Sequence, residues 1–247
     1  MDVCVFLLTI CVGACLGALL HRYAAYKIVL GPEPEEEDEE ALKAAYAARR
    51  FSFREYLEFG ERRPVAERLV FVSFSVALWG IYLYIYKLDW QFLLYACTAT
   101  ILLAQSLVDR EIQELPPELN LAIGVLGLAH LLTDLTHWAE YLIGAALVSG
   151  FFLLIGLIKY RGQETMGGGD VKLMAALGLL LGWKSILVVM ILGCFLGAVI
   201  HLVLMAVFKK GRQLAFGPYL SAGAIITMVC EQQIINWYIG FLTASMK

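Results

Sequence analysis

Two aspartates beside long apolar segments are the residues best suited to chemistry. Asp109 lies in the stretch AQSLVDREIQELPPELN, and Asp170 lies in TMGGGDVKLMAALG. An ionisable residue at the edge of a membrane-length apolar segment is costly, and it is therefore a functional candidate. If the two carboxyl groups approach each other, both cannot ionise freely, so one would keep its proton while the other stays charged. That division of roles is the one that activates a water molecule for hydrolysis.

A run of three glycines stands directly before Asp170. Gly167, Gly168 and Gly169 permit backbone angles and close approaches that side chains forbid, so they could bring Asp170 near a partner helix. The run could also be an ordinary junction between a loop and a helix. The hydrolytic interpretation is stronger because Pro116 follows the first aspartate in a D-x6-P spacing. Lys172 could either reach lipid headgroups or hold the loop or a substrate.

The elements that must position these residues are membrane helices. The chain has 247 residues, of which 60% are hydrophobic and 17% charged, and a mean hydropathy of +0.73. This composition excludes an ordinary soluble domain. Runs of about 20 apolar residues mark membrane spans, and they predict an all-α polytopic protein with about eight transmembrane helices. The predicted spans are 2–20, 67–86, 90–108, 119–136, 139–158, 170–182, 184–208 and 214–230.

The distribution of basic residues predicts the orientation of these helices. If the N-terminus lies outside, all but three of the 19 Lys and Arg residues fall on the cytosolic side. The positive-inside rule therefore predicts that both termini lie outside and that both aspartates face the cytosol. The exceptions are Lys87, Lys184 and Lys247.

The predicted organisation is a first helix over 1–20, a cytosolic segment over 21–66 and a membrane core over 67–247. The cytosolic segment begins with an acidic run, GPEPEEEDEE, which is typical of a solvated tract. Residues 42–59 are rich in aromatic residues and arginine, and they predict an amphipathic helix at the cytosolic interface. This segment is either a connecting loop or an element that contacts the substrate.

No metal site is predicted. The four histidines are scattered without ligand spacing, and the six cysteines form no CxxC pair. All six cysteines lie inside apolar segments, so we expect them to be small buried hydrophobic residues.

Taken together, the motifs resemble those of the type IV prepilin peptidases, which are bacterial relatives of the GxGD intramembrane aspartyl proteases. Asp109 and Pro116 keep the first spacing of that family. The stretch MGGGDVKLMAALGLLLGW is similar to its GxGD block. A third block, LAFGPYLSAGAI, contains Gly217 and Pro218 and is similar to its final-helix motif.

The resemblance implies a substrate and a location. Family members remove the short basic leader of prepilins and pseudopilins at the cytosolic face of the bacterial inner membrane. It implies that Asp109 and Asp170 are the catalytic pair, and that proteolysis needs no metal. Supporting roles for the substrate or the loop would fall to the three glycines, Lys172, Pro116, Gly217 and Pro218. The expected partners are these substrates and membrane lipids, with no nucleic acid; the oligomeric state stays open.

The chain departs from the family in one respect. Many members carry two zinc-binding CxxC pairs in the cytosolic segment and methylate the new N-terminus with S-adenosylmethionine, whereas residues 21–66 contain no cysteine. We therefore expect no zinc and doubt the methyltransferase activity. Two other functions stay open. A proton-coupled transporter would carry carboxylates nearer the bilayer centre, and an inactive scaffold of a pilus or secretion system would not need both aspartates.

Overall fold

The computed structural model describes residues 3–31, 63–160, 163–164, 167–208 and 215–245. Within these residues the regular structure is helical, apart from two antiparallel strands of two residues each; one of the helices is a short 3-10 helix, Leu135–His137. The amphipathic helix predicted over 42–59 lies outside the described residues. The elements are α1 (Val3–Leu30), α2 (Val65–Tyr86), α3 (Trp90–Ile112), α4 (Pro117–Thr133), α5 (Trp138–Gly156), β1 (Lys159–Tyr160), β2 (Gln163–Glu164), α6 (Gly168–Phe208) and α7 (Gly217–Ser245).

Helices are the expected outcome for these apolar runs, because lipid offers no partner to a backbone N–H or C=O group. Five candidate membrane spans in the described chain are long and apolar enough to cross a membrane. The apolar parts of α4 and α7 are shorter. The prediction of an all-helical, polytopic membrane protein is therefore confirmed, while the number of crossings and their orientation stay predictions.

The longest helix, α6, is two helices that meet at Gly182. Gly182 has φ 77° and ψ 173°, which breaks the helix, and this positive φ favours glycine. The first half runs beside α4 in the same direction, since Gly169 contacts Asn120 and Leu180 contacts His130. The chain then turns back.

The second half of α6 returns along α7 in the opposite direction. Gly193 packs on Leu220, and Gly197 packs on Phe216 just before α7 begins. The boundary between the predicted spans 170–182 and 184–208 therefore coincides with this reversal. Gly144 of α5 lies against the turn, and an added Cβ there would be 2.6 Å from the carbonyl carbon of Gly182.

Helix α3 forms the centre of the bundle. About 67% of the residues in its apolar stretch are buried inside the bundle, against 17–28% in the other four long spans. It contacts α1, α2, α4 and α7, while α6 packs on α4, α5 and α7. The helix that carries Asp109 is thus held on several sides, which suits a side chain that must be placed accurately.

Two helices extend further than the predicted spans. Helix α1 continues to Leu30, ten residues beyond the predicted end at residue 20, and His21, Ala24 and Ala25 are fully buried. Lys27 is accommodated because its Nζ lies 2.7 Å from Glu118 Oε1 on α4. Helix α7 continues through residues 231–245, beyond the predicted end of the last span at residue 230.

Candidate active site

Asp109 lies in the last turn of α3 and is buried, with 6% of its surface exposed. The helix ends at Ile112 because the next residue, Gln113, adopts a left-handed conformation with φ 57°. The Gln113 N–H donates to the Asp109 carbonyl oxygen over 2.9 Å and closes the helix end. The chain therefore leaves the direction of α3 within one turn after Asp109.

The carboxyl group of Asp109 meets the N-terminus of α7. The Gly217 N–H donates to Asp109 Oδ2 over 2.9 Å. The first N–H groups of a helix lack partners within the helix and carry partial positive charge, so they suit a carboxylate. An added Cβ here would lie 2.8 Å from the same oxygen, so any larger residue would displace the carboxyl group. Pro218 follows within the first turn of α7.

Asp170 lies in the first turn of α6. Its backbone N–H donates to the Gly167 carbonyl oxygen over 3.1 Å, which turns the glycine run into the start of the helix. Its side chain is half-buried and lines the same cavity as Asp109. The structure thus brings together two aspartates that are 61 positions apart (170 − 109).

Both aspartates line one cavity of about 290 Å³ at this end of the bundle. Two carboxyl groups that face a shared space can divide the roles of general base and general acid toward a bound water. Of the predicted supporting residues, the three glycines and Lys172 also line the cavity, and Lys172 is exposed. The lining consists of Asp109, Gln113, Glu114, Leu115, Pro117, Gly167, Gly168, Gly169, Asp170 and Lys172.

Leu115 separates the two glycines that support the aspartates. An added Cβ would lie 2.9 Å from Leu115 Cβ at Gly169, and 2.9 Å from Leu115 Cδ2 at Gly217. One leucine side chain therefore sets the spacing between the starts of α6 and α7. This role was not predictable from the sequence, since Leu115 is one apolar residue among many.

Two buried amides form a second feature that sequence reasoning missed. Gln105 Nε2 donates to Asn120 Oδ1 over 2.6 Å, and Asn120 Nδ2 donates to the Gly169 carbonyl oxygen over 3.3 Å. Gln105 precedes Asp109 by one helical turn, and Asn120 lies in the first turns of α4. The sequence does show that Gln105 and Asn120 are polar residues within apolar helices, but it does not indicate that they contact each other.

Pro116 does not line the cavity, but it stands between two residues that do, Leu115 and Pro117. It is the N-cap of α4, with φ −56° and ψ 123°, and Pro117 takes the first helical position. That position has no need of a backbone N–H, so proline fits it. Glu111, another carboxylate near Asp109, is exposed, and its Oε1 lies 4.0 Å from Arg63 Nη1.

Among the described residues, no three His, Cys, Asp or Glu side chains converge on a point. The expectation that the cysteines are buried is wrong for those that the structure describes. Cys11, Cys15 and Cys194 are exposed, and Cys97 and Cys230 are half-buried. Thiols tolerate these outward faces because the faces are themselves apolar.

Comparison with known proteins agrees with the motifs. The profile of the type IV leader peptidase family matches residues 96–202, a range that holds both aspartates. This match confirms the resemblance predicted from the sequence. No solved structure matches the chain.

Three curated relatives carry the name prepilin leader peptidase/N-methyltransferase. The protein of Legionella pneumophila is 32% identical over 189 residues, which cover 74% of this chain and 64% of the relative. That of Aeromonas hydrophila is 26% identical over 270 residues, covering 95% and 92%. That of Aeromonas salmonicida is 33% identical over 146 residues, covering 56% of this chain and 50% of the relative. The last match thus spans half of that relative's length.

Proposed function

Because the chain belongs, through residues 96–202, to the type IV leader peptidase family, we propose that it is an aspartic endopeptidase of the membrane. Its substrate is a prepilin or pseudopilin, from which it removes the N-terminal leader. The observation that carries this proposal is the shared cavity of Asp109 and Asp170. The coarser conclusion, a protease of this family, rests on the comparisons alone.

The proposed chemistry uses the two carboxyl groups and one water molecule. One carboxylate takes a proton from the water as its oxygen attacks the carbonyl carbon of the scissile peptide bond. The other carboxyl group gives its proton to the carbonyl oxygen, and a proton then passes to the leaving amine as the C–N bond breaks. The cavity would take an extended peptide, to which the backbone N–H groups of the glycine run at the start of α6 could donate hydrogen bonds.

We place this site at the cytosolic face of the bacterial inner membrane. The ends of α1 and α3 and the starts of α2, α4, α6 and α7 meet at one end of the bundle, as the contacts of Lys27 with Glu118 and of Arg63 with Glu111 illustrate. The positive-inside rule assigns this basic end to the cytosol. A substrate that is itself a membrane helix would present its leader there, beside lipid headgroups that Lys172 can also reach.

The supporting residues have distinct proposed tasks. Gly217 holds the carboxylate of Asp109 through its N–H, and Pro218 and Pro116 fix the starts of α7 and α4. Lys172, an exposed cation at the cavity rim, is the candidate for contacting the substrate backbone or its anionic surroundings.

We propose that proteolysis needs no metal and that the product stays unmethylated. Zinc lacks its ligands in the cytosolic segment, because residues 21–66 contain no cysteine. We therefore do not propose for this chain the methyltransferase activity that the relatives' name includes.

One experiment tests both parts of the proposal. The purified protein is incubated in detergent with a candidate prepilin and S-adenosylmethionine, and the product's N-terminus is read by mass spectrometry. We expect cleavage that disappears in Asp109→Asn and in Asp170→Asn, because an amide cannot exchange the required proton. Glu111→Gln, which changes an exposed neighbouring carboxylate, is the matched control and should cleave normally. Cleavage by either Asn variant would refute the paired mechanism, and a product about 14 Da heavier would refute the absence of methylation.

A further inference from the structure

Three groups from three helices form a hydrogen-bonded relay that ends one residue before Asp170. The relay runs from Gln105 on α3 through Asn120 on α4 to the Gly169 carbonyl on α6. Gln105 has no exposed surface, and Asn120 has 4%. Because Gln105 lies one turn before Asp109 on the same helix, the relay connects the two helices that carry the aspartates.

The Gly169 carbonyl fixes the direction of the relay. A carbonyl oxygen can only accept, so Asn120 must turn its NH2 group toward Gly169 and its oxygen toward Gln105. Gln105 must then present its NH2 group, which leaves Gln105 Oε1 buried and without a partner among the described residues. A buried acceptor without a partner costs free energy. The relay is therefore a poor device for stabilising the bundle, and its value lies in where it holds Gly169.

The peptide bond between Gly169 and Asp170 is held on both sides. Its carbonyl accepts from Asn120, and its N–H donates to the Gly167 carbonyl. The Gly169 Cα packs on Leu115. Rotation of this peptide plane would swing the Asp170 side chain, which starts from it. We propose that Asn120 is a positioning residue for Asp170, acting through Gly169, with Gln105 as its support.

The first test rests on the proposed peptidase activity. Asn120→Leu keeps the approximate volume but removes both hydrogen bonds. We expect kcat to fall about 10- to 100-fold with little change in KM, because a displacement of about 1 Å at a reacting group can cost about 10²-fold in rate. The matched control is His130→Leu. His130 is also buried on α4 and also contacts a carbonyl of α6, that of Leu180 over 2.9 Å, but near the Gly182 break at the far end of the first half of α6. It should lower the melting temperature and leave kcat of the folded protein unchanged.

A double variant separates positioning from stability. Gln105→Met with Asn120→Leu removes both partners and also the unpaired oxygen, and such paired replacements are often nearly neutral for stability. We expect a melting temperature close to that of the wild type together with a kcat as low as that of Asn120→Leu. If kcat recovers along with the melting temperature, the residues are merely structural and the inference is overturned.

Amide hydrogen exchange of the full-length protein in detergent tests the placement without any substrate. Exchange at residues 167–173 should accelerate in Asn120→Leu and not in His130→Leu, because only the first variant releases Gly169. Unchanged exchange there would overturn the positioning role even in an active enzyme. If the wild type cleaves no prepilin while exchange responds as expected, the proposed function fails and the positioning of Asp170 by Asn120 is supported.

Discussion

Adding one methyl group at Gly217 should disable Asp109 without unfolding the protein. In Gly217→Ala the new Cβ would lie 2.8 Å from Asp109 Oδ2 and 2.9 Å from Leu115 Cδ2, whereas ordinary contact begins at 3.4 Å. The oxygen must therefore retreat by about 0.6 Å, which is 3.4 − 2.8 Å. That movement stretches the 2.9 Å bond from the Gly217 N–H to at most about 3.5 Å, which weakens the hydrogen bond or breaks it.

The size of the effect follows from that lost bond. A hydrogen bond to a charged group contributes about 1.5–3 kcal/mol. At about 1.4 kcal/mol for each factor of ten, kcat/KM should fall about 10- to 150-fold. The assay is cleavage of the same prepilin by purified variants in detergent, with the melting temperature measured in parallel to show that each variant is folded.

Gly150→Ala is the matched control for this substitution. Gly150 lies on α5, and an added Cβ there meets no heavy atom within 4 Å. It should cleave at the wild-type rate. If folded Gly217→Ala keeps kcat/KM within about twofold of the wild type, the contact between α7 and Asp109 has no part in catalysis. An equal loss in both variants would trace the effect to glycine replacement in general.

Three further predictions follow from the site and the bundle. The plot of kcat/KM against pH should be bell-shaped, falling in acid when both carboxyls are protonated and in alkali when both are ionised; a rate that climbs steadily with pH would contradict the pair. EDTA should leave the rate unchanged, and strong inhibition would indicate a metal-dependent enzyme. Gly178→Ala should lower the free energy of unfolding by about 1–3 kcal/mol or more, because an added Cβ meets the rigid backbone of Gly144. The melting temperature should fall in this variant and stay at the wild-type value in Gly150→Ala; an unshifted melting temperature in Gly178→Ala would contradict that packing.

The membrane helices were predictable because their signal is local. Length and hydropathy alone locate a span, and the reversal at Gly182 falls where the predicted spans 170–182 and 184–208 are separated. The end of α1 was not predictable in this way. Arg22 and Lys27 resemble the start of a loop, and only the pairing of Lys27 with Glu118, 91 positions away, shows why the helix continues.

The candidate site likewise contains residues that the sequence predicts and residues that only the structure identifies. Asp109 and Asp170 stand out because a carboxylate is expensive at the edge of an apolar run, and their catalytic roles stay predictions. Leu115, Gln105 and Asn120 act through partners on other helices. Their roles depend on which faces of the helices meet, and neither composition nor spacing records that.

The hydrogen bond between Asp109 and Gly217 also sets a time order for biosynthesis. The two residues are 108 positions apart in the chain, and Asp170 is synthesised between them. Helix α3 and the first half of α6 therefore leave the ribosome before the donor of this bond exists. On the proposed mechanism, an unfinished chain without α7 lacks this bond, so we expect it to cleave more slowly than the finished protein.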